Sequence, residues 1–258
     1  MGGKGLSPLY ALAIAGSLAL VVGMLAVQLL YAGTGSIWQT LKDPSIQKAI
    51  LLSLSTATIA SSLALLVATP TAYALARSKF TGRAIVDVLL DLPVVLSPVA
   101  VGVSLLLLLR TVPGRWVESN LIAFIFETPG IVLAQFTISL ALSIRILKAT
   151  FQKIDVRYEQ VSRFLGCTPF QTLYRVTLPM AKPGLLAAFI LSWARSIGEF
   201  GATVMLAGAV AGETETIPVA IYLRMASVDL KGAVALIAIL SLVSLAVLVA
   251  IRLIVRDR

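Results

Sequence analysis

The segment "WARSIGEFGATVMLAG", Trp193 to Gly208, sets an arginine and a glutamate four residues apart inside an apolar run. Charges at membrane depth are costly and are usually paired. Arg195 and Glu199 therefore either neutralise each other so that both tolerate burial, or hold a guanidinium beside the path of an anion. Ser192, Ser196, Glu199 and Thr203 fall at i, i+4, i+7 and i+11, which is one face of a helix. That face should look into a helical bundle, where Gly198 and Gly201 would allow close helix contact. A second hydroxyl face, Ser55, Thr58, Ser62 and Thr69, either packs helix on helix or lines a pore with donors.

Other chemistry is limited by composition. Histidine is absent, which removes the usual general base and the usual metal ligand. A Ser-His-Asp or Cys-His site is excluded by count. The single cysteine, Cys167, cannot form a disulfide within one chain. No Gly-rich Lys-Ser/Thr phosphate loop occurs, so the chain is expected to bind no cofactor or metal and to hydrolyse no ATP itself. A membrane enzyme has no visible catalytic cluster.

These residues need elements to hold them. The 258 residues are 59% hydrophobic and 13% charged, against about half and a quarter in a soluble globule. An integral membrane protein is the consequence, since each helical crossing needs roughly 20 mostly apolar residues. Six runs supply them: about Leu6 to Tyr31, Ser45 to Ala76, Ala84 to Leu109, Pro129 to Ala149, Pro183 to Gly208 and Gly232 to Leu253. The first is longer than a signal-peptide core and leads into no cleavage site. Gly33 and Gly35 should break it, and Pro70 should kink or end the second. The net charge of +9 lies in the gaps between runs, which is the pattern of membrane orientation rather than of a nucleic-acid surface.

Six crossings put both termini on one side. Lys4, the Arg77–Arg83 turn, the Lys148–Lys182 stretch, Arg252, Arg256 and Arg258 then share that side, which the excess of positive charge marks as cytoplasmic. The polar stretch from about Thr150 to Lys182 is far longer than helix joining demands. "YEQVSRFL" carries Val161, Phe164 and Leu165 at helical spacing, and Gly166 stands where a helix would end. Thr168 as N-cap and Pro169 at the first position restart it, with Phe170, Leu173 and Tyr174 at i, i+3, i+4. The stretch thus reads as two short helices with a glycine hinge and an apolar face. That face either rests on lipid headgroups or docks into a soluble partner.

The spacing Gln160-Val161-Ser162, three residues, Gly166, nine residues, Val176-Thr177-Leu178-Pro179 resembles the EAA loop of ABC importer permeases. That loop has the form Glu-Ala-Ala, three residues, Gly, nine residues, Ile, one residue, Leu-Pro. Gln160 stands at the acidic position, with Glu159 just before it, and Val161 and Ser162 replace the alanines. "WARSIGEFGATVMLAG" is similar to the fifth-helix segment of molybdate and tungstate permeases, where sulfate permeases tend towards Gly-Glu-Tyr-Gly. "LPVVLSPVAVG", Leu92 to Gly102, and "TIPVAIY", Thr216 to Tyr222, resemble further segments of the same family.

The resemblance implies an all-α membrane subunit with six transmembrane helices and a cytoplasmic coupling loop. Residues 1–44 would hold the first helix and outer connection. Residues 45–258 would form the type I importer domain, with the coupling loop at about 150–182. Glu159, Gln160, Gly166, Pro169, Val176, Leu178 and Pro179 would contact two ABC ATPase subunits, which carry ATP and Mg. A second copy of the chain would complete the pathway, lined by the faces of Ser192, Arg195, Ser196, Glu199, Thr203 and of Ser55, Thr58, Ser62. An external oxyanion-binding protein would deliver molybdate or tungstate. Sulfate or thiosulfate is the alternative cargo, and a stand-alone secondary carrier is the alternative class.

Overall fold

The computed structural model describes residues 8–256, so Lys4, Leu6 and Arg258 lie outside the described residues. Among the described residues there are helices and no strand. Helix α1, Pro8–Lys42, runs past Tyr31, because Gly33 (φ 69°, ψ 148°) kinks the helix without ending it. Asp43 caps the next helix, accepting from the Ser45 amide at 3.0 Å, and Pro44 opens it. This helix, α2, Pro44–Arg77, continues through Pro70.

The third apolar run is broken rather than straight. It forms α3, Arg83–Val95, and α4, Pro98–Arg110, bent by 113°. The reason is local: proline disfavours the helical conformation of its predecessor, and Ser97 (ψ 145°) instead caps α4 with its hydroxyl on the Ala100 amide. A short α5, Val112–Asn120, leads to α6, Thr128–Lys153. The polar stretch folds into α7, Val156–Phe164, then α8, Pro169–Thr172, a π turn at Leu173–Thr177 and α9, Leu178–Met180. The fifth run also breaks, into α10, Lys182–Ile197, and α11, Gly201–Ala207. Helices α12, Ile217–Ala226, and α13, Leu230–Arg256, complete the chain. Helices α1, α2, α6 and α13 are each long and apolar enough to cross a membrane. The bent pairs α3–α4 and α8/α9–α10, the latter turning by 73°, bring that number to six if each is one span.

The core is built on α2. Ala57, Ala60, Ala64, Ala68 and Ala72 recur at three and four residues and are fully buried, a small-residue seam that lets helices approach closely. At one end Ala68, Ala72 and Leu75 pack with Leu147 and Phe151 of α6 and Ala188 of α10. At the other end, about 50 Å along α2 at 1.5 Å per residue, Arg224 bridges Asp229 (2.8 Å) and Asp43 (3.4 Å). Asp43 is held below the usual carboxylate range by the Ser45 hydroxyl and amide, with Arg224 adding to this. Arg224 and the Gly232 amide do the same for Asp229. Both pKa values are lowered on folding, so this clasp is intact at neutral pH and loosens only in strong acid.

The two broken spans meet. A side-chain carbon added at Gly102 of α4 would lie 2.8 Å from the backbone of Ala202 in α11, and one at Gly201 would lie 3.0 Å from Pro98 and Val99. Replacing Gly102 with leucine should therefore destabilise the protein by about 3 kcal/mol, the upper part of the overpacking range. Gly16→Leu, where nothing lies within 4 Å, should cost nothing measurable. Thermal unfolding of both variants in detergent distinguishes them.

Candidate functional site

Two sites take shape, one inside the bundle and one on its protruding hairpin. Inside, Ser192 and Ser196 are buried on α10 as the spacing required. Their hydroxyls meet Ser143 (2.7 Å) and Ser139 (2.6 Å) of α6, and Ser61 of α2 donates to Ser196 at 3.3 Å. This is a ladder of interhelical hydroxyl bonds, so Ser192 and Ser196 fasten helices and do not line open space. Ser61, Ser139 and Ser143 are hydrogen-bond partners that the sequence alone did not single out. Ser139 and Ser143 stand at i, i+4 in an apolar run, a signal of the same kind that singled out α10.

The helix expected to carry Ser192 through Thr203 as one face is interrupted at Gly198–Phe200. Glu199 is the interruption's anchor. It is 1% exposed, one oxygen accepts from the Ala202 amide at 3.0 Å, and the other lies 2.7 Å from Arg195 Nη1. The pairing of Arg195 and Glu199 is therefore direct, with the arginine side chain 37% exposed and the carboxylate enclosed. Thr203 is buried behind it. Ser55, Thr58 and Ser62 instead sit on the exposed face of α2. Thr58 accepts from the Trp193 indole at 3.1 Å, so the outward α2 stripe and the Arg195 segment adjoin. Beyond Ser55 a cavity of about 310 Å³ opens, with Lys48, Glu213 and Glu215 on its walls.

The hairpin has two faces of opposite character. Gly166 adopts φ +90° after α7, a conformation that costs other residues about 1–2 kcal/mol. Thr168 and Gln171 form a reciprocal capping box and Pro169 opens α8. The outer face displays Phe164 (90% exposed), Leu165 (80%), Phe170 and Tyr174, with Gln160 and Pro179 also exposed and Val176 half-buried. Glu159, expected on the docking surface, turns the other way and is 3% exposed. Its carboxylate bonds to Arg77 of α2 at 2.9 Å. Leu178 likewise packs inward, against the core at the end of α2 and α6. Among the described residues no cluster of three or more His, Cys, Asp or Glu side chains is placed to hold a metal.

Fold and site define a multi-pass helical membrane protein with a hairpin set apart from its bundle. Within that class, the chain belongs to the family described as the binding-protein-dependent transport system inner membrane component, whose model matches residues 63–258. It is thus the permease subunit of an ABC transporter, a multi-pass protein of the inner membrane. A Clostridium pasteurianum protein named "Probable transport system permease protein NifC" is 35% identical over 258 residues, covering 98% of this chain and 90% of that one. The molybdenum transport system permease protein ModB of Mycobacterium tuberculosis is 39% identical over 211 residues, 80% of this chain and 79% of that one. The sulfate transport system permease protein CysW of Synechococcus elongatus is 34% identical over 227 residues, with 84% and 79% covered. In structure, a bacterial alginate ABC transporter in complex with an alginate pentasaccharide-bound periplasmic protein matches with a TM-score of 0.72. At 17% identity over 94% of this chain and 92% of that one, it speaks for the fold alone.

Removing one partner of a buried pair leaves the other charge uncompensated, at about 3–5 kcal/mol when both are enclosed. Arg195 is partly exposed, so Arg195→Ala should destabilise by about 2 kcal/mol after allowance for screening. Arg195→Ala combined with Glu199→Gln should recover at least half of that loss in a denaturant titration.

Proposed function

We propose that the chain is the membrane-spanning half of an ATP-driven oxyanion importer, with six crossings and both termini in the cytoplasm. Two copies enclose the pathway, and each hairpin seats in one ABC ATPase subunit that carries ATP and Mg. A binding protein outside the membrane delivers the cargo. The observation that carries this reading is the exposed apolar face of Phe164, Leu165, Phe170 and Tyr174 on a stretch rich in basic residues. Positive charge favours the cytoplasmic side, where ATP is available. Membership in an ABC transporter family removes the ground for a stand-alone carrier.

Molybdate or tungstate is the cargo this reading favours. Support comes from the ModB relatives and from Phe200 and Ala202 in the Glu199 segment. Sulfate is the second reading, favoured by the similarity to CysW. The path residues fit either dianion. Ser62 offers a hydroxyl on the exposed face of α2, Ser55 and Thr58 stand beside it with their protons on the Leu52 and Leu54 carbonyls (3.0 and 2.7 Å), and Arg195 adds a partly exposed positive charge. The arginine's field is weakened by Glu199, which suits passage: a transported ion must bind loosely enough to leave.

The purified chain should capture its ABC ATPase subunits, and Phe164→Asp should weaken that capture by about 30-fold, the size of a hot-spot loss of 2 kcal/mol. Gly166→Val should abolish ATP-driven uptake while the protein still inserts in the membrane. Titrating the cognate binding protein with molybdate, tungstate and sulfate decides the cargo; binding of sulfate alone would overturn the first choice.

A further inference from the structure

Glu159 is a carboxylate buried on a short helix whose neighbouring side chains Tyr158, Gln160 and Val161 are all exposed, with Ser162 the other buried residue. One oxygen accepts from Arg77 Nε at 2.9 Å and from the Thr177 hydroxyl at 3.1 Å. The other accepts from the Tyr73 hydroxyl at 3.0 Å. Arg77 also donates from Nη2 to the Ile154 carbonyl at the end of α6, at 2.9 Å. One carboxylate therefore joins the end of α2, the outgoing helix of the hairpin and its returning π turn.

Stability alone does not account for this arrangement. A buried ion pair adds little net stability over apolar packing of the same volume, and apolar packing is already present, where Leu178 and Ala181 meet Leu75 and Phe151. What charge-assisted hydrogen bonds add is fixed direction. The π turn points the same way. It holds one more residue than an α-turn, which rotates the downstream helix by about 100°, and the Thr177 hydroxyl ends on Glu159. Tyr73 is itself braced edge-on by Phe151, with ring centroids 5.7 Å apart. The helix at the other side of the joint is α2, which presents Ser55, Thr58 and Ser62.

We propose that Glu159, Arg77 and Tyr73 form a rigid joint that delivers displacement of the hairpin to α2, so that the two move as one lever. Arg77 and Tyr73 are then positioning residues: they touch neither cargo nor ATPase. This rests on the reading of the hairpin as the ATPase dock.

The test uses the assembled complex in proteoliposomes, with whichever of molybdate and sulfate the wild type imports. The readout is ATP hydrolysed per ion taken up. Arg77→Ala should raise this ratio at least tenfold, and the conservative Arg77→Lys and Tyr73→Phe two- to fourfold each. Spin labels at Arg157→Cys and Leu66→Cys, in a Cys167→Ser background diluted with unlabelled copies, should keep their separation when ATP is added. That separation should change in Arg77→Ala. An assembled complex whose ratio is unmoved by all three substitutions, or a wild-type separation that shifts on ATP addition, overturns the joint. Failure of the wild-type chain to capture any ATPase overturns the docking reading beneath it, which is a distinct result.

Discussion

Polar groups inside a bilayer must find their partners within the protein or line a space that something else fills. That constraint sorts the side chains of this permease. Ser61, Ser139, Ser143, Ser192 and Ser196 satisfy one another across three helices, and Glu199 accepts from the start of α11 with one oxygen and holds the other beside the Arg195 charge. Ser55, Thr58 and Ser62 face outward from the single chain. The first group holds the bundle together. In the second, Ser55 and Thr58 donate to the Leu52 and Leu54 carbonyls of their own helix, so their protons are satisfied on an exposed face.

The same constraint explains the irregular helices. Broken backbone at membrane depth is tolerated where it is enclosed by protein. Here the breaks before Pro98 and before Gly201 lie against each other, with Gly102 and Gly201 allowing backbone contact. The chain thus divides into a straight part, α2 with α6, and a bent part, α4 with α11. The hairpin belongs with the straight part, because Glu159 and Leu178 fasten it to the end of α2.

Apolar runs and loops were legible in the sequence because length and hydropathy alone set them. The hairpin was legible too, since Gly166, Thr168 and Pro169 act through local backbone preferences. The breaks at Leu96–Ser97 and Gly198–Phe200 were not. "LPVVLSP" is compatible with a kinked span as well as with a 113° turn, and tertiary packing decides between them. The inward turn of Glu159 was hidden for a similar reason. Its partner Arg77 is 82 positions away, and in sequence it reads only as one basic residue in a cytoplasmic turn. The α10 face was read correctly as facing the bundle, where Ser192 and Ser196 bond to serines of α6.

The central claim is that the outer face of the hairpin is the seat of an ATPase. Oxidative footprinting of the aromatic side chains tests it most directly, comparing the chain alone with the chain saturated by its ABC ATPase subunits. The account predicts strong protection of Phe164, Phe170 and Tyr174, with Trp38 and Trp116, both exposed in the chain alone, unaffected. Unchanged labelling of the three hairpin aromatics in a complex that has formed would contradict it.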